Sequence, residues 1–320
     1  MEPVRPSQIA FCPLCANTTA TEVERVKYAS IWAGLAHTWN AAFTDDTRLR
    51  HTPSEETRLL ECGRCGLQFF DPATPGDNEF YHQLTTTAGA YYSEDKWDFQ
   101  AALHTLSASD HVLDIACGSG AFLTRLREHG CVAVGIDTNA AAIAVASSKG
   151  LSAYCADLDD YASRNSEAFD VVTAFQVLEH VSDPKAFIGA APACVKPGGR
   201  LVLTVPNRDR PLRLDLEPLD CPPHHLTRWS AAQFTTLADT FKCRVSESRF
   251  EPASMAECRT ILRRKIARAA SVAHESSLVL RAIARLAFSP TLYTVYSKVG
   301  GLDRWGFCDM SVMCVLEKPR

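Results

Sequence analysis

What this sequence lacks narrows its class first. No apolar run approaches the ~20 residues of a membrane span. It has no excess of positive charge: 33 Lys and Arg stand against 37 Asp and Glu, a net charge of −4. That excludes a general nucleic-acid binder, whose surface would be basic. The opening residues, MEPVRPSQIAF, contain neither a basic n-region nor an apolar h-region, so no secretion signal is expected and a cytoplasmic setting is. The dinucleotide-binding pattern G-x-G-x-x-G lacks its third glycine: Gly118 and Gly120 fit it, but the third position is Leu123.

What is present is an ordinary soluble composition, 46% hydrophobic and 22% charged, over 320 residues, a length that predicts about two domains. The organising stretch is His111 to Phe122, HVLDIACGSGAF. An apolar run with one acid, Asp114, ends in Cys117-Gly118-Ser119-Gly120, and a helical pattern follows. This predicts a buried strand, a tight glycine turn and a helix N-terminus in an open α/β sheet. Ligands of such sheets sit at the carboxyl ends of the strands. A carboxylate at Asp114 would repel a phosphate and suit a ligand carrying an ammonium or sulfonium. Val132 to Asp137 (VAVGID) reads as a second strand ending in an acid, a place that commonly takes a ribose diol.

With D-x-A-C-G-S-G, G-I-D, FDVVTAFQVLEHVSDP and KPGGRLVLTVPN in that order, the chain resembles the class I S-adenosylmethionine-dependent methyltransferases. The nearest group is the small-molecule, ubiquinone-biosynthesis type, with V-L-E-H-V after the fourth strand. The resemblance covers roughly residues 86 to 255 and returns at the last strand. It implies a Rossmann-like, seven-stranded, mostly parallel sheet with helices on both faces. Met310 to Leu316 would be a closing strand inserted antiparallel between strands five and six. It implies cofactor contacts from Asp114, Ala116, Gly118, Gly120, Asp137, Thr138 and Gln176. Asp157 would bond the adenine amino group, with Leu158 packed on the ring and Tyr92 capping the methionine end. Asp157 also reads as the N-cap of the next helix, which is compatible.

Thirteen cysteines, without a secretion signal, predict reduced thiols plus a metal site. Cys12-x-x-Cys15 and Cys62-x-x-Cys65 can set four thiolates around one tetrahedral structural zinc. The rival is a pair of redox dithiols or four ordinary thiols, and His51 is a possible substitute ligand. Tyr28, Ile31, Trp32, Leu35 and Trp39 recur at helical spacing, as the core of this small domain or as a wall of the substrate cleft. The expected domains are a zinc-binding segment at 1–75, a helical lid at 76–109, the core at 110–255, a helical insertion at 256–306 and the closing strand at 307–320.

Three histidines are candidates for chemistry. His180 sits at the exit of the central strand, and His224 and His225 lie in a long loop, 206–228, after the fifth strand. Any of them could be a base near neutral pH, or a structural histidine. Related enzymes carry E-x-x-E-H here and use a divalent ion, but this chain has Gln176-x-x-Glu179-His180. A magnesium site from Glu179, His180 and His225 would therefore be poor in carboxylate charge. The reaction expected is in-line methyl transfer to a hydroxyl or amine of a small metabolite. The alternatives are a metal-assisted O-methyltransferase and an RNA methyltransferase clamping RNA with its zinc domain. Acidity and the absence of N-P-P-Y after the fourth strand oppose the latter. Residues 257–287 read as basic amphipathic helix, either a solvated lid or homodimer face or a peripheral membrane contact.

Overall fold

The computed structural model describes residues 10–87, 96–210, 216–269, 278–298 and 310–320. The N-terminal part runs β1 (Ala20–Lys27), α1 (Tyr28–Trp39), α2 (Asp45–Arg50), β2 (Glu56–Cys62) and β3 (Gln68–Asp71). The aromatic series of α1 is core. Tyr28, Ile31, Trp32 and Leu35 are buried and pack with Phe43, Phe70 and Phe80, the last from α3 (Asn78–Thr87).

The large sheet is assembled from β4 (His111–Ile115), β5 (Val132–Asp137), β6 (Ala153–Cys155), β7 (Phe169–Phe175), β8 (Val195–Pro206), β10 (Arg244–Phe250) and β11 (Ser311–Glu317). Its order is β10-β11-β8-β7-β4-β5-β6. Strands β4 to β8 run parallel, and β11 lies antiparallel between β8 and β10, as the resemblance implied. The central strands β4, β7, β8 and β11 are largely apolar because both their faces are covered, whereas the edge strand β10 is polar and half-exposed. Alternate residues divide between two clusters. Val112, Val171, Val202 and Met313 pack with α4 (Trp97–Leu103), α5 (Ala121–His129) and α6 (Ala140–Ser148). Leu113, Val172, Leu203 and Cys314 pack with α7 (Leu158–Arg164), α8 (Pro184–Ala190) and α9 (Ala231–Thr240).

Helix α8 is followed by one 3-10 turn at Ala191–Cys194, and β8 begins at Val195. In the loop after β8, Cys221, His224, His225 and Leu226 are buried, and it contains a two-residue strand, β9 (Thr227–Arg228). Strand β9 pairs with β3, so the smaller sheet, β1-β2-β3-β9, is completed by the loop of the larger one. One apolar cluster runs through both sheets, from Cys12, Leu14 and Leu67 to Trp229, Phe234 and the β7–β8 strands.

Three helices precede β11: α10 (Met255–Ala269), α11 (Leu278–Ala287) and α12 (Pro290–Lys298). No helix among the described residues is long and apolar enough to cross a membrane.

Candidate active site and metal centre

The glycine turn after β4 is shaped by backbone conformation. Gly118 (φ 54°) and Gly120 (φ 79°) both occupy the left-handed region, where a side chain is disfavoured. A Cβ on Gly120 would lie 2.5 Å from Leu151 Cδ1, so α5 and α6 approach only because it is glycine. A Cβ on Gly118 would meet nothing within 4 Å, so that glycine faces open space. Leu123, in place of the missing third glycine, is buried against β5, where a Cβ on Gly135 would lie 2.6 Å from Leu123 Cδ1. The close helix–strand approach survives, with the glycine on the strand instead of the helix.

Around this turn the acids converge. Asp114 is buried, and Thr173 Oγ1 donates to its Oδ1 across 2.7 Å. Burial pushes the Asp114 carboxyl up to about 7, against the lowering effect of the Thr173 bond and with help from the nearby Asp137. Asp137 accepts from Gly118 N (2.8 Å) and Asn139 N (2.8 Å). Thr138 beside it is exposed. Asp157 caps α7 by accepting from Asp159 N at 2.9 Å, and Leu158 opens that helix. An open groove of ≈ 340 Å³ runs past Tyr154, Cys155, Ala156 and Asp157. Ala116 (φ 56°) and Gln176 (φ 54°) both hold left-handed backbone at the ends of the adjacent strands β4 and β7. For residues with a Cβ this costs of order 1 kcal/mol or more, and such outliers cluster at ligand sites. Gln176 Nε2 donates to the buried Asp98 Oδ2 (3.1 Å), which also accepts from Thr204 Oγ1 (3.2 Å). Tyr92 lies outside the described residues.

The three histidines meet. One ring nitrogen from each of His180, His224 and His225 lies within 4.8 Å of the others. His180 Nδ1 is 2.6 Å from the carbonyl of His224, which can only accept, so Nδ1 carries the proton and Nε2 is left as the basic nitrogen. Likewise His224 Nδ1 is 2.7 Å from the Leu219 carbonyl. The Tyr81 hydroxyl stands 2.9 Å from His180 Nδ1. Glu179 is buried, its Oε1 3.8 Å from His180 Nε2 and its Oε2 without a hydrogen-bond partner. Burial holds His180 down to about 4 and raises Glu179 to about 8, so at neutral pH the imidazole is uncharged and the acid largely protonated. Burial drives His224 and His225 well below the ordinary range. Asp220 anchors the loop, ion-paired to Arg210 and 3.7 Å from Arg228.

The four predicted cysteines also converge. Cys12 Sγ lies 3.6 Å from Cys65 Sγ, and Cys15 Sγ 3.5 Å from Cys62 Sγ. A disulfide needs ~2.05 Å. Thiolates held ~2.3 Å from one tetrahedral ion sit roughly 3.8 Å apart, which these spacings approach. Both knuckles are turned by left-handed residues, Ala16 and Gly66. Burial acts to raise Cys62, but backbone N–H groups of Cys65 and Arg64 outweigh it and bring the thiol down to about 6. His51 is not part of this cluster; its Nε2 lies 3.2 Å from Asp77 Oδ1. The magnesium expectation is not supported, because three of the donors at His180 are imidazole nitrogens and hard cations take oxygen.

Sequence reasoning missed Thr173, Asp98, Thr204, Tyr81 and Asp220. Thr173 carried a signal, as the one hydroxyl inside the apolar run of FDVVTAF. Tyr81 and Asp220 carried none, since their roles depend on which loop packs over which strand.

Residues 91–247 match the family described as "Methyltransferase domain". The chain is 33% identical over 105 residues to the ubiquinone biosynthesis O-methyltransferase of Coxiella burnetii, covering 31% of this chain and 44% of that protein. It is 34% identical over 104 residues to the protein of the same name from Vibrio vulnificus, with 31% and 44% covered. The matched stretch thus spans less than half the length of these relatives. A methyltransferase structure from Archaeoglobus fulgidus aligns over 69% of this chain and 91% of its own at 18% identity, with a TM-score of 0.46. Residues 91–247 of this chain are thus a methyltransferase domain, built on the Rossmann-like α/β sheet described above.

Proposed function

We propose that the chain transfers a methyl group from S-adenosylmethionine to a hydroxyl or amine of a small metabolite, in the cytoplasm, where its cysteines stay reduced. The observation that carries this reading is the pair of acids at successive strand ends, Asp114 and Asp137, flanking Gly118, whose α-carbon faces open space. In the proposal Asp114 faces the positively charged end of the donor. Ala116, Gly118 and Gly120 bring backbone close to it, Asp137 and Thr138 take the ribose, Asp157 and Leu158 the adenine, and Gln176 and Tyr92 close the methionine end. Each oxygen of Asp137 now holding an N–H retains a second lone pair for a ribose hydroxyl.

The bound donor supplies a methyl group already activated by its sulfonium. What remains for the protein is to align the acceptor and take its proton. We assign that proton to Nε2 of His180, the nitrogen left basic by the Nδ1 bond to His224, with Glu179 beside it. The rings of His224 and His225 lie against that of His180, 4.7 and 4.8 Å between centroids. Calorimetry with S-adenosylmethionine and its demethylated product tests the first half; a chain that binds NAD and neither of these would overturn it. Screening metabolites with radiolabelled donor identifies the acceptor.

The three-imidazole cluster favours a second reading, the metal-assisted one, with a borderline transition ion in place of magnesium. Backbone carbonyls holding the Nδ1 protons of His180 and His224 are the outer-shell arrangement metal-binding histidines use. If chelation of the purified enzyme leaves turnover unchanged, the base reading stands alone. Structural zinc on Cys12, Cys15, Cys62 and Cys65 belongs to the same proposal, with residues 1–75 as its domain, 76–109 as the lid, 110–255 as the core, 256–306 as a helical insertion and 307–320 as the closing strand.

A further inference from the structure

The helices before the closing strand carry a surface that methyl transfer does not use. In α11, Leu278 (82% exposed), Val279 (67%), Ile283 (42%) and Leu286 (74%) stand in solvent. Leu278, Ala282 and Leu286 recur at four-residue steps, with Val279 and Ile283 alongside, so they form one continuous apolar arc. The opposite side is the packed one: Ala284 and Phe288 are buried, and the Arg259 side chain of α10 donates to the Phe288 carbonyl at 2.8 Å. Arg281 and Arg285, one turn apart, border the arc, exposed, and neither has an ion-pair partner among the described residues. Leu292 and Val295 of α12 add further exposed apolar area. A helix that keeps five apolar side chains in water while burying its other side has a partner.

Charge decides which. Residues 255–298 contain eight Lys and Arg against two Glu, an excess of +6 in a chain whose net charge is −4, so everything else carries −10. A second copy docked two-fold on this face would set Arg281 and Arg285 against the like charges of the same patch. A lipid surface bearing negative headgroups would instead receive the arc in its acyl boundary and the arginines at headgroup level. That is the geometry of an interfacial helix.

We propose that α11, with the adjoining face of α12, docks this protein onto an anionic bilayer surface, lying in the interface without spanning it. The inference stands whichever acceptor is methylated.

The test is co-sedimentation of the full chain with vesicles of phosphatidylcholine alone and with about a third phosphatidylglycerol. Binding is expected at least ten-fold tighter to the anionic vesicles and to fall with added salt. The R281A/R285A variant should bind them about thirty-fold more weakly, at roughly ten-fold or less per cation removed from the surface. L278S/L286S should weaken binding comparably by removing the inserted side chains. These positions are exposed, so both variants should melt with the parent. Equal binding to both vesicles, or to neither, overturns the proposal. So does loss in the arginine variant alone, which would mean electrostatic adsorption without insertion. A parent dimer that L278S/L286S makes monomeric would assign the face to a second copy instead.

Discussion

The Thr173 hydroxyl donates to Asp114 Oδ1 across 2.7 Å inside the sheet, linking paired residues of the neighbouring strands β4 and β7. A buried carboxylate so close to a glycine turn would otherwise lack a fixed orientation. Thr173→Val keeps the shape and removes the donor. A hydrogen bond to a charged group contributes about 1.5–3 kcal/mol. Affinity for S-adenosylmethionine should fall roughly 10- to 100-fold by calorimetry, with the melting temperature little changed. Unaltered affinity would mean that Asp114 does not face the donor.

On the proposed donor site, protonation of Asp114 should couple donor binding to pH. Its carboxyl is raised to about 7 by burial, so the donor-free protein holds a proton there through most of the acidic range. A positively charged ligand favours the carboxylate and expels that proton. Binding should therefore tighten as pH rises from about 5.5, by up to ten-fold per unit, and level off above about 7. Calorimetry in buffers of different ionisation enthalpy should count close to one proton released at the acid end and none above about pH 8. The folding linkage has the same origin: with a raised folded pKa, the group's contribution is present below the unfolded value and lost as pH climbs through about 7.

Gly118 and Gly120 should separate binding from stability. Gly120→Ala places a methyl group 2.5 Å from Leu151 Cδ1 at φ 79° and should destabilise the fold by about 2–4 kcal/mol, from strain and overpacking together. Gly118→Ala meets no neighbour and should cost only about 1 kcal/mol of stability. On the proposed donor site its methyl would occupy ligand space, so donor affinity should drop at least ten-fold. Equal effects of the two changes on denaturation midpoint would contradict this.

The cysteine cluster predicts about one zinc per purified chain by elemental analysis. Cys62→Ser or Cys65→Ser should abolish it. The loss should not stay local, because Gln233 Nε2 donates to the Cys65 carbonyl and Arg208 to that of Gly66. Strand β9, which begins two residues after His225, pairs with β3, so amide exchange should rise in 224–229 as well as in 10–70. A zinc-free chain with unchanged exchange at Thr227 would show the two sheets to be energetically separate.

For His180, general-base catalysis is worth typically 10²–10⁴-fold. His180→Gln should lower kcat by at least a hundred-fold while donor affinity stays within two-fold. Burial also fixes a stability sign: the imidazole is held down to about 4, so its contribution is present above the unfolded value of 6.5 and lost as pH falls toward 4. The glutamine variant should lose less stability over that window than the parent.

Local chemistry made much of this legible. Asp114, Gly118, Gly120 and Asp137 could be placed because a strand, a tight turn and a helix start each leave a short contiguous signature. The cysteine knuckles could be paired because C-x-x-C fixes its own turn. The histidines could be listed, but not joined: His180 and His225 are 45 positions apart, and their approach depends on the 206–228 loop folding inward. That loop looked polar because Arg210, Asp220 and Arg228 are charged. They are nonetheless held low in the protein, paired with one another.

By itself the sequence determined the αβ alternation, the glycine turn and the two cysteine knuckles, because each follows from periodicity or short-range sterics, while the antiparallel last strand was implied by the family resemblance. Only the tertiary structure decided that β9 crosses to the N-terminal sheet, that Thr173 braces Asp114, and that three imidazoles come together. Those relationships join residues tens of positions apart, and packing between elements, which no local pattern encodes, sets them.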